Sequence, residues 1–260
     1  MEPIQSKGNA RLKEVRALRA GKEKEACLLE GPRLLGEALE SGARVRWVLH
    51  DPEEEEFIHL LAKAEQAGAE ILPCARKLLR EGSDLDSPRG ILAVAERSSA
   101  NLENVLDIGG LVVVSAGIQD PGNLGSILRS AAGLGASGLV VLQGGSSPWH
   151  PRAIRGSAGM VFRLPVTEGV SPEAFFSEAD GKGYEIVATG NAGEPPGSFA
   201  PFGSLALLLG EEGGGLDPNI AQRCSRTLTI PLGKGVESLN VGAAAAVMIH
   251  ALVGDPSASG

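Results

Sequence analysis

The sequence predicts an α/β protein built in two parts. Three observations carry that prediction. Short apolar runs alternate with helix-like stretches along the chain. The runs of the second half are apolar almost throughout, as strands of a parallel sheet covered on both faces are. A polar stretch from Arg97 to Asn104 interrupts the alternation. It places a domain boundary there, with a small α/β domain over 1–100 and a parallel-sheet domain over 101–260.

The elements follow in order. Residues 1–24 read as a helix with Leu12, Val15 and Leu18 on one side. Strands are predicted at 26–30, 44–50, 70–73 and 90–96, and helices at 32–41, 53–67 and 75–81. The second half restarts with a strand at 111–117 and a helix at 124–134. Further strands are predicted at 138–144, 183–190, 205–210 and 227–232, and a last helix at 239–252. No internal repeat interrupts the series.

Composition narrows the function classes. Hydrophobic residues make up 43% and aromatics 3%, so the core is built mainly from Ala, Val, Leu and Ile. No apolar run reaches the roughly 18 residues needed to span a bilayer. The charged N-terminus lacks the apolar core of a secretion signal. A cytoplasmic protein, most simply bacterial, is expected, with no membrane partner. Cys27, Cys74 and Cys224 form no CxxC, so free thiols and no metal site are expected. The net charge of −8 argues against broad nucleic-acid binding but leaves room for a local basic surface. Lys7, Arg11, Lys13, Arg16, Arg19, Lys22 and Lys24 face only Glu2, Glu14 and Glu23 in the first 24 residues. That segment is either a solvated helix face or such a surface.

Gly133 to Gly138 fits GxGxxG. A dinucleotide site needs that pattern after a strand and before a helix. Here it follows a helix and precedes a strand, so the glycines are read as a helix end and a turn.

Three loops after predicted strands concentrate Gly, Asn, Ser and charge. Ligands in open parallel sheets bind at the carboxyl ends of strands. The first loop runs from Gln119 through Asp120, Pro121 and Asn123 to Arg129 and opens a helix. Asp120 to Asn123 supply turn and cap chemistry, and Arg129 suits a phosphate near a helix N-terminus. An ordinary N-cap beside a surface arginine would read the same. The second runs from Leu209 to Leu216 and holds Gly210, Glu212 and three successive glycines, 213–215. Such glycines imply close approach of backbone to a ligand or another chain segment. The third runs from Ile230 to Val241, with Leu232, Ser238, Leu239 and Asn240. Ser238 or Asn240 can cap the final helix, whose small residues, Gly242 to Ala246, permit close packing.

In this order, the three segments resemble the signature motifs of the SpoU (TrmH-type) RNA 2′-O-ribose methyltransferases of the SPOUT superfamily. The match covers about 110–252, and Pro151 to Gly159 resembles the family's stretch between the first two motifs. Residues 26–96 resemble the small L30e-like substrate-binding domain that often precedes the catalytic one.

The resemblance implies a SPOUT domain with a deep C-terminal trefoil knot, which periodicity could not suggest. It implies S-adenosylmethionine bound at Thr189, Gly190, Gly210, Ile230, Leu232 and Leu239, largely through backbone groups. It places Asn123, Arg129, Glu212, Ser238 and Asn240 at the active site and implies a homodimer. The reaction would be methyl transfer to a ribose 2′-hydroxyl, in ribosomal RNA before transfer RNA, with no metal. Arg129 stays protonated, so it is expected to clamp a phosphate and orient the hydroxyl, with Asn123 and Glu212 positioning Arg129 or the ribose. The alternative is a non-catalytic RNA-binding or ribosome-assembly protein on the same fold. A nicotinamide-dependent oxidoreductase would rest on the misplaced glycines alone.

Overall fold

The computed structural model describes residues 2–84, 89–198 and 203–253. The chain divides into two compact units. The first comprises Met1–Ser98 with Trp149–Phe162, the second Ser99–Pro148 with Arg163–Gly260.

The first unit opens with helix α1 (Ala10–Arg19), which buries Leu12, Val15 and Leu18. It is shorter than the basic segment that carries it. Asn9 starts it, its side chain accepting the Arg11 N–H. The unit continues through β1 (Ala26–Glu30), α2 (Pro32–Glu40) and β2 (Val45–His50). A 3-10 turn (Glu55–Phe57) replaces the start of the predicted 53–67 helix and leads into α3 (Ile58–Gln66). β3 (Glu70–Pro73), α4 (Arg76–Gly82) and β4 (Ile91–Glu96) follow. The sheet order is β1-β4-β2-β3. β4 is antiparallel to both neighbours, whereas β2 and β3 are parallel. Trp47, Leu28, Leu49 and Leu92 fill a core beneath α1 and α4.

Two carboxylates are buried at strand ends of this unit. Asp51, just after β2, accepts from the Arg76 guanidinium at 2.5 Å and from the Glu53 N–H. Burial by itself would raise its pKa, but these bonds hold the carboxyl below the usual range. Glu30, at the end of β1, pairs with Arg155 of the returning segment and accepts the Asp84 N–H at 2.9 Å. Gly159 of the same segment, at φ +84°, lies where a Cβ would come within 2.9 Å of the Glu37 side chain.

The second unit contains α5 (Leu102–Asp107), β5 (Leu111–Ser115), α6 (Pro121–Gly133) and β6 (Gly138–Leu142). The chain then passes through α7 (Pro151–Gly156), within the segment that groups with the first unit. It continues as β7 (Val166–Val170), α8 (Pro172–Gly181), β8 (Glu185–Glu194), β9 (Leu205–Leu209), α9 (Pro218–Ala221), β10 (Arg226–Leu228) and α10 (Val241–Val253). The six strands run in order β10-β8-β9-β5-β6-β7, and every pairing is parallel. β5, β6 and β9 are buried at every residue, which explains their unbroken apolar sequences.

Several elements depart from the sequence expectation. α5 lies partly within the polar stretch read as a boundary, with Asn101 as its cap. α7, β7 and α8 have no counterpart among the predicted elements. β8 runs on to Glu194, while β10 stops at Leu228 after a register shift. Pro231, which has no N–H to donate, lies in the part of 227–232 that is not strand. The GxGxxG glycines close α6 and enter β6, with Gly135 at φ +89° making the turn.

The three cysteines are free. Burial pushes the Cys27 thiol up to about 12 and those of Cys74 and Cys224 up to about 11. Among the described residues no helix is long and apolar enough to cross a membrane.

Candidate active site

Because the second sheet is wholly parallel, the loops after β5, β6, β8, β9 and β10 leave from one edge. β5 and β9 are direct neighbours, so the first two motif loops start side by side. Asp120 caps α6 by accepting the Asn123 N–H at 3.0 Å, and Pro121 fills the first helical position. The geometry at the start of α6 is therefore fixed by local turn chemistry. Gln119 ties this loop to the next, its amide donating to the carbonyls of Gly117 (3.1 Å) and Gly144 (2.7 Å).

The glycines of the second loop pack against their own chain. Glu211 and Gly215 exchange backbone hydrogen bonds of 2.9 and 2.8 Å, with Gly213 and Gly215 at positive φ. A Cβ on Gly210 would lie 2.3 Å from the Gly215 carbonyl carbon. Of the two causes that glycine density allowed, it is another chain segment that approaches Gly210. The tight turn projects Glu212, whose carboxylate accepts a hydrogen bond from the Asn123 amide.

The third loop completes the connection. Asn240, not Ser238, caps α10: its Oδ1 accepts from the N–H groups of Gly242 (3.0 Å) and Ala243 (3.4 Å). Its Nδ2 donates to Asn123 Oδ1 at 3.0 Å. A chain of Asn240, Asn123 and Glu212 thus joins all three loops, although its members lie 89 and 117 residues apart in sequence. The small residues of α10 serve packing as expected. A Cβ on Gly242 would come within 2.6 Å of Ser126 Oγ on α6.

Arg129 and Ser238 stand apart from this chain. Both are exposed, and neither makes a hydrogen bond or ion pair with the described residues. Arg129 lies six residues beyond Asn123 on α6, about 9 Å along the axis. Glu212 binds Asn123 and makes no hydrogen bond or ion pair with Arg129, so of the two alternatives, positioning Arg129 or the ribose, no direct bond to the arginine is made.

Four of the six positions expected to hold a cofactor lie on or just after adjacent strands. Thr189 and Gly190 lie on β8, Gly210 follows β9, and Ile230 follows β10, and β8 pairs with both of the others. Thr189 is anchored by donating its hydroxyl hydrogen to the Leu208 carbonyl at 3.0 Å. Leu232, Val236 and Leu239 are 37%, 51% and 39% exposed, three of the six large apolar side chains left open to solvent among the described residues. Apolar surface beside glycine-rich backbone suits a ligand with a flat heteroaromatic part and polar edges. The residues present therefore fit an adenosyl group. Among the described residues no group of three or more His, Cys, Asp or Glu side chains is arranged to hold a metal ion.

The chain resembles known proteins along nearly its whole length. Residues 110–250 match the profile described as the SpoU rRNA Methylase family, and 9–93 match an MRM3-like substrate binding domain. The chain is 28% identical over 258 residues to the 23S rRNA (guanosine(2553)-2'-O)-methyltransferase RlmP of Bacillus subtilis, covering 98% of this chain and all of the relative. It is 30% identical over 257 residues to the 23S rRNA (uridine(2479)-2'-O)-methyltransferase of Streptomyces viridochromogenes, covering 94% of this chain and 90% of that one. Among solved structures, the AdoMet-bound rRNA methyltransferase from Sinorhizobium meliloti superposes with a TM-score of 0.86 at 25% identity, covering 96% of each chain. The SpoU methyltransferase AviRb from Streptomyces viridochromogenes, in complex with AdoMet, gives 0.85 at 28%, covering 94% of this chain and 97% of that one.

Proposed function

Because the chain belongs to the SpoU rRNA Methylase family, we propose that it moves a methyl group from S-adenosylmethionine to a ribose 2′-hydroxyl of ribosomal RNA. The observation that carries this reading is the Asn240–Asn123–Glu212 chain, which joins three motif loops at one sheet edge and leaves Arg129 uncommitted. The names of the similar enzymes point to the large-subunit RNA. Such a substrate puts the place of action in the cytoplasm.

S-adenosylmethionine supplies an electrophilic methyl group on a sulfonium centre. Thr189, Gly190, Gly210, Ile230, Leu232 and Leu239 would hold it, the leucines through apolar contact and Gly190 through exposed backbone. The remaining work of the chain is alignment, which can lower a barrier by about 7–11 kcal/mol. Arg129 clamps a substrate phosphate bidentately and orients the hydroxyl beside it. Asn123, held from both sides, presents a rigid polar wall to the ribose, and Glu212 is in turn fixed by Asn123. Ser238 would shape the loop from Ile230 to Val241, which also carries Leu232 and Leu239.

Two further features belong to this proposal. β10 lies at one edge of the sheet, yet α10 packs on α6 and β5 and on the 3-10 turn Pro196–Ser198. Residues 229–240 must therefore run back across neighbouring strand ends, which supports a trefoil knot. The outer side of α10 exposes Ala243, Val247 and Ala251, an apolar stripe that a second copy of the chain would cover. The first unit, with its mixed four-stranded sheet, is the L30e-like part.

The test is to incubate the protein with isotope-labelled S-adenosylmethionine and ribosomal or transfer RNA, then digest to nucleosides. Label on a 2′-O-methyl nucleoside from ribosomal RNA is expected. Cofactor binding without transfer to any RNA would favour an RNA-binding protein on the same fold.

A further inference from the structure

The first unit concentrates arginine at one edge. Arg16 and Arg19 stand on the last turns of α1, and Arg155 reaches the same neighbourhood from α7. Arg155 pairs with Glu30, whose side chain is 1% exposed, and Arg19 pairs with Asp84. Asp84 is itself bound through its N–H to Glu30 at 2.9 Å. Two of the three guanidinium groups are thus paired one to one with carboxylates, and the Glu30 carboxylate is buried. Arg16 has no acidic partner among the described residues. It donates to the Lys7 carbonyl, at 2.9 Å. Burial, and then the Arg19 charge, disfavour the charged form of Arg155, so cations are crowded here.

The shape and surroundings agree. Arg16, Arg19, Ala20 and Asp84 line an open concavity of about 280 Å³. Glu14, the one acid of α1, is set against Trp47 and Arg11, accepting from the indole N–H at 3.1 Å and pairing with Arg11 at 3.6 Å, and it makes no ion pair with Arg16 or Arg19. Exposed Lys13, Lys22 and Lys24 add positive charge on the same segment without ion pairs to the described residues. On a chain whose net charge is −8, this edge is where a polyanion can dock.

We propose that the Arg16–Arg19 concavity, backed by Arg155, seats a backbone phosphodiester of the RNA substrate. Arg16 supplies a guanidinium that has no acidic partner among the described residues and holds only the Lys7 carbonyl. Arg19 gives one terminal nitrogen to Asp84 and the other to the Glu81 carbonyl at 3.4 Å, so only its remaining N–H groups face the phosphate. The contact reads backbone and not sequence, so it governs affinity and register. This rests on the reading of the chain as an RNA-modifying enzyme, but its test reads binding and not turnover.

The experiment compares the full-length protein with Arg16→Gln/Arg19→Gln and with an equal-charge control, Lys63→Gln/Lys77→Gln. Binding to transcribed large-subunit ribosomal RNA is measured across a salt series, with melting temperature and S-adenosylmethionine affinity as checks on folding. For every phosphate deprived of its guanidinium, binding should weaken about 5-fold near 0.15 M salt and the salt slope should flatten by about 0.7–0.9. The arginine double is expected to show that weakening, with cofactor affinity unchanged, and the lysine control little of it. Equal weakening in both doubles would mean that overall charge explains the effect, and the proposal falls. It falls equally if the arginine double binds like wild type. A wild-type protein that binds RNA through these arginines but transfers no methyl group would overturn the proposed reaction and leave this surface standing.

Discussion

The two units use polar residues in opposite ways. In the first, carboxylates are buried at strand ends and each is matched by an arginine, Glu30 by Arg155 and Asp51 by Arg76. In the second, Asn123, Glu212 and Asn240 bind one another at exposed or half-exposed positions on the sheet edge. A matched buried charge holds an architecture in place, because losing one partner strands the other away from water. A network in reach of solvent costs little to perturb and is open to a ligand. The comparison predicts that substitutions in the first unit act on stability and those at the second unit's edge act on turnover.

Arg155→Ala should break the first pattern most severely. It leaves Glu30 buried without its cation and should cost about 3–5 kcal/mol, read as a lowered denaturation midpoint. A loss under about 1 kcal/mol would mean that water replaces the arginine and that the contrast is overstated. Arg129→Lys tests the second pattern. Turnover should fall about 100-fold, near 2.7 kcal/mol of barrier, with melting temperature and cofactor affinity intact. Near wild-type turnover would remove the clamp role.

Asn240→Asp sharpens the comparison within one residue. Aspartate still caps α10 but cannot donate to Asn123. Stability should hold while turnover drops about 10-fold, roughly 1.4 kcal/mol, and Asn240→Ala should lose both. Acid titration gives the smallest effect. The Asp51 carboxyl is held below its usual range in the folded state, so its stabilisation is complete above the ordinary carboxylate pKa near 3.9. It is lost as pH falls through the depressed folded value. Asp51→Asn should therefore shrink the acid-induced fall in stability below about pH 4. An unchanged acid limb would show that Arg76 contributes nothing there.

Much of this was legible in the sequence where one interaction dominates. β5, β6 and β9 are buried on both faces, so their residues had to be apolar throughout and stood out. β7 carries Glu168 and Gly169 because it is an edge strand, and that same exposure hid it. The Ser171-Pro172 start of α8 and the Asn101 cap of α5 were available signals, lost among other polar residues. At the site, the motif loops and the capping chemistry of Asp120 and Asn240 could be read locally. The partnership of Asn123 with Glu212 could not, since it depends on β5 and β9 lying side by side. The pairing of Glu30 with Arg155 was hidden for the same reason, 125 residues separating the two.

The excursion of Trp149–Phe162 into the first unit also sets a timetable. As the chain emerges from the ribosome, residues 1–98 appear without the cation that Glu30 requires. The Glu30–Arg155 pair can form only after β5, α6 and β6 have been synthesised and Arg155 has been released. A gene fragment ending at Ser98 would encode the first unit without the arginine that pairs with Glu30.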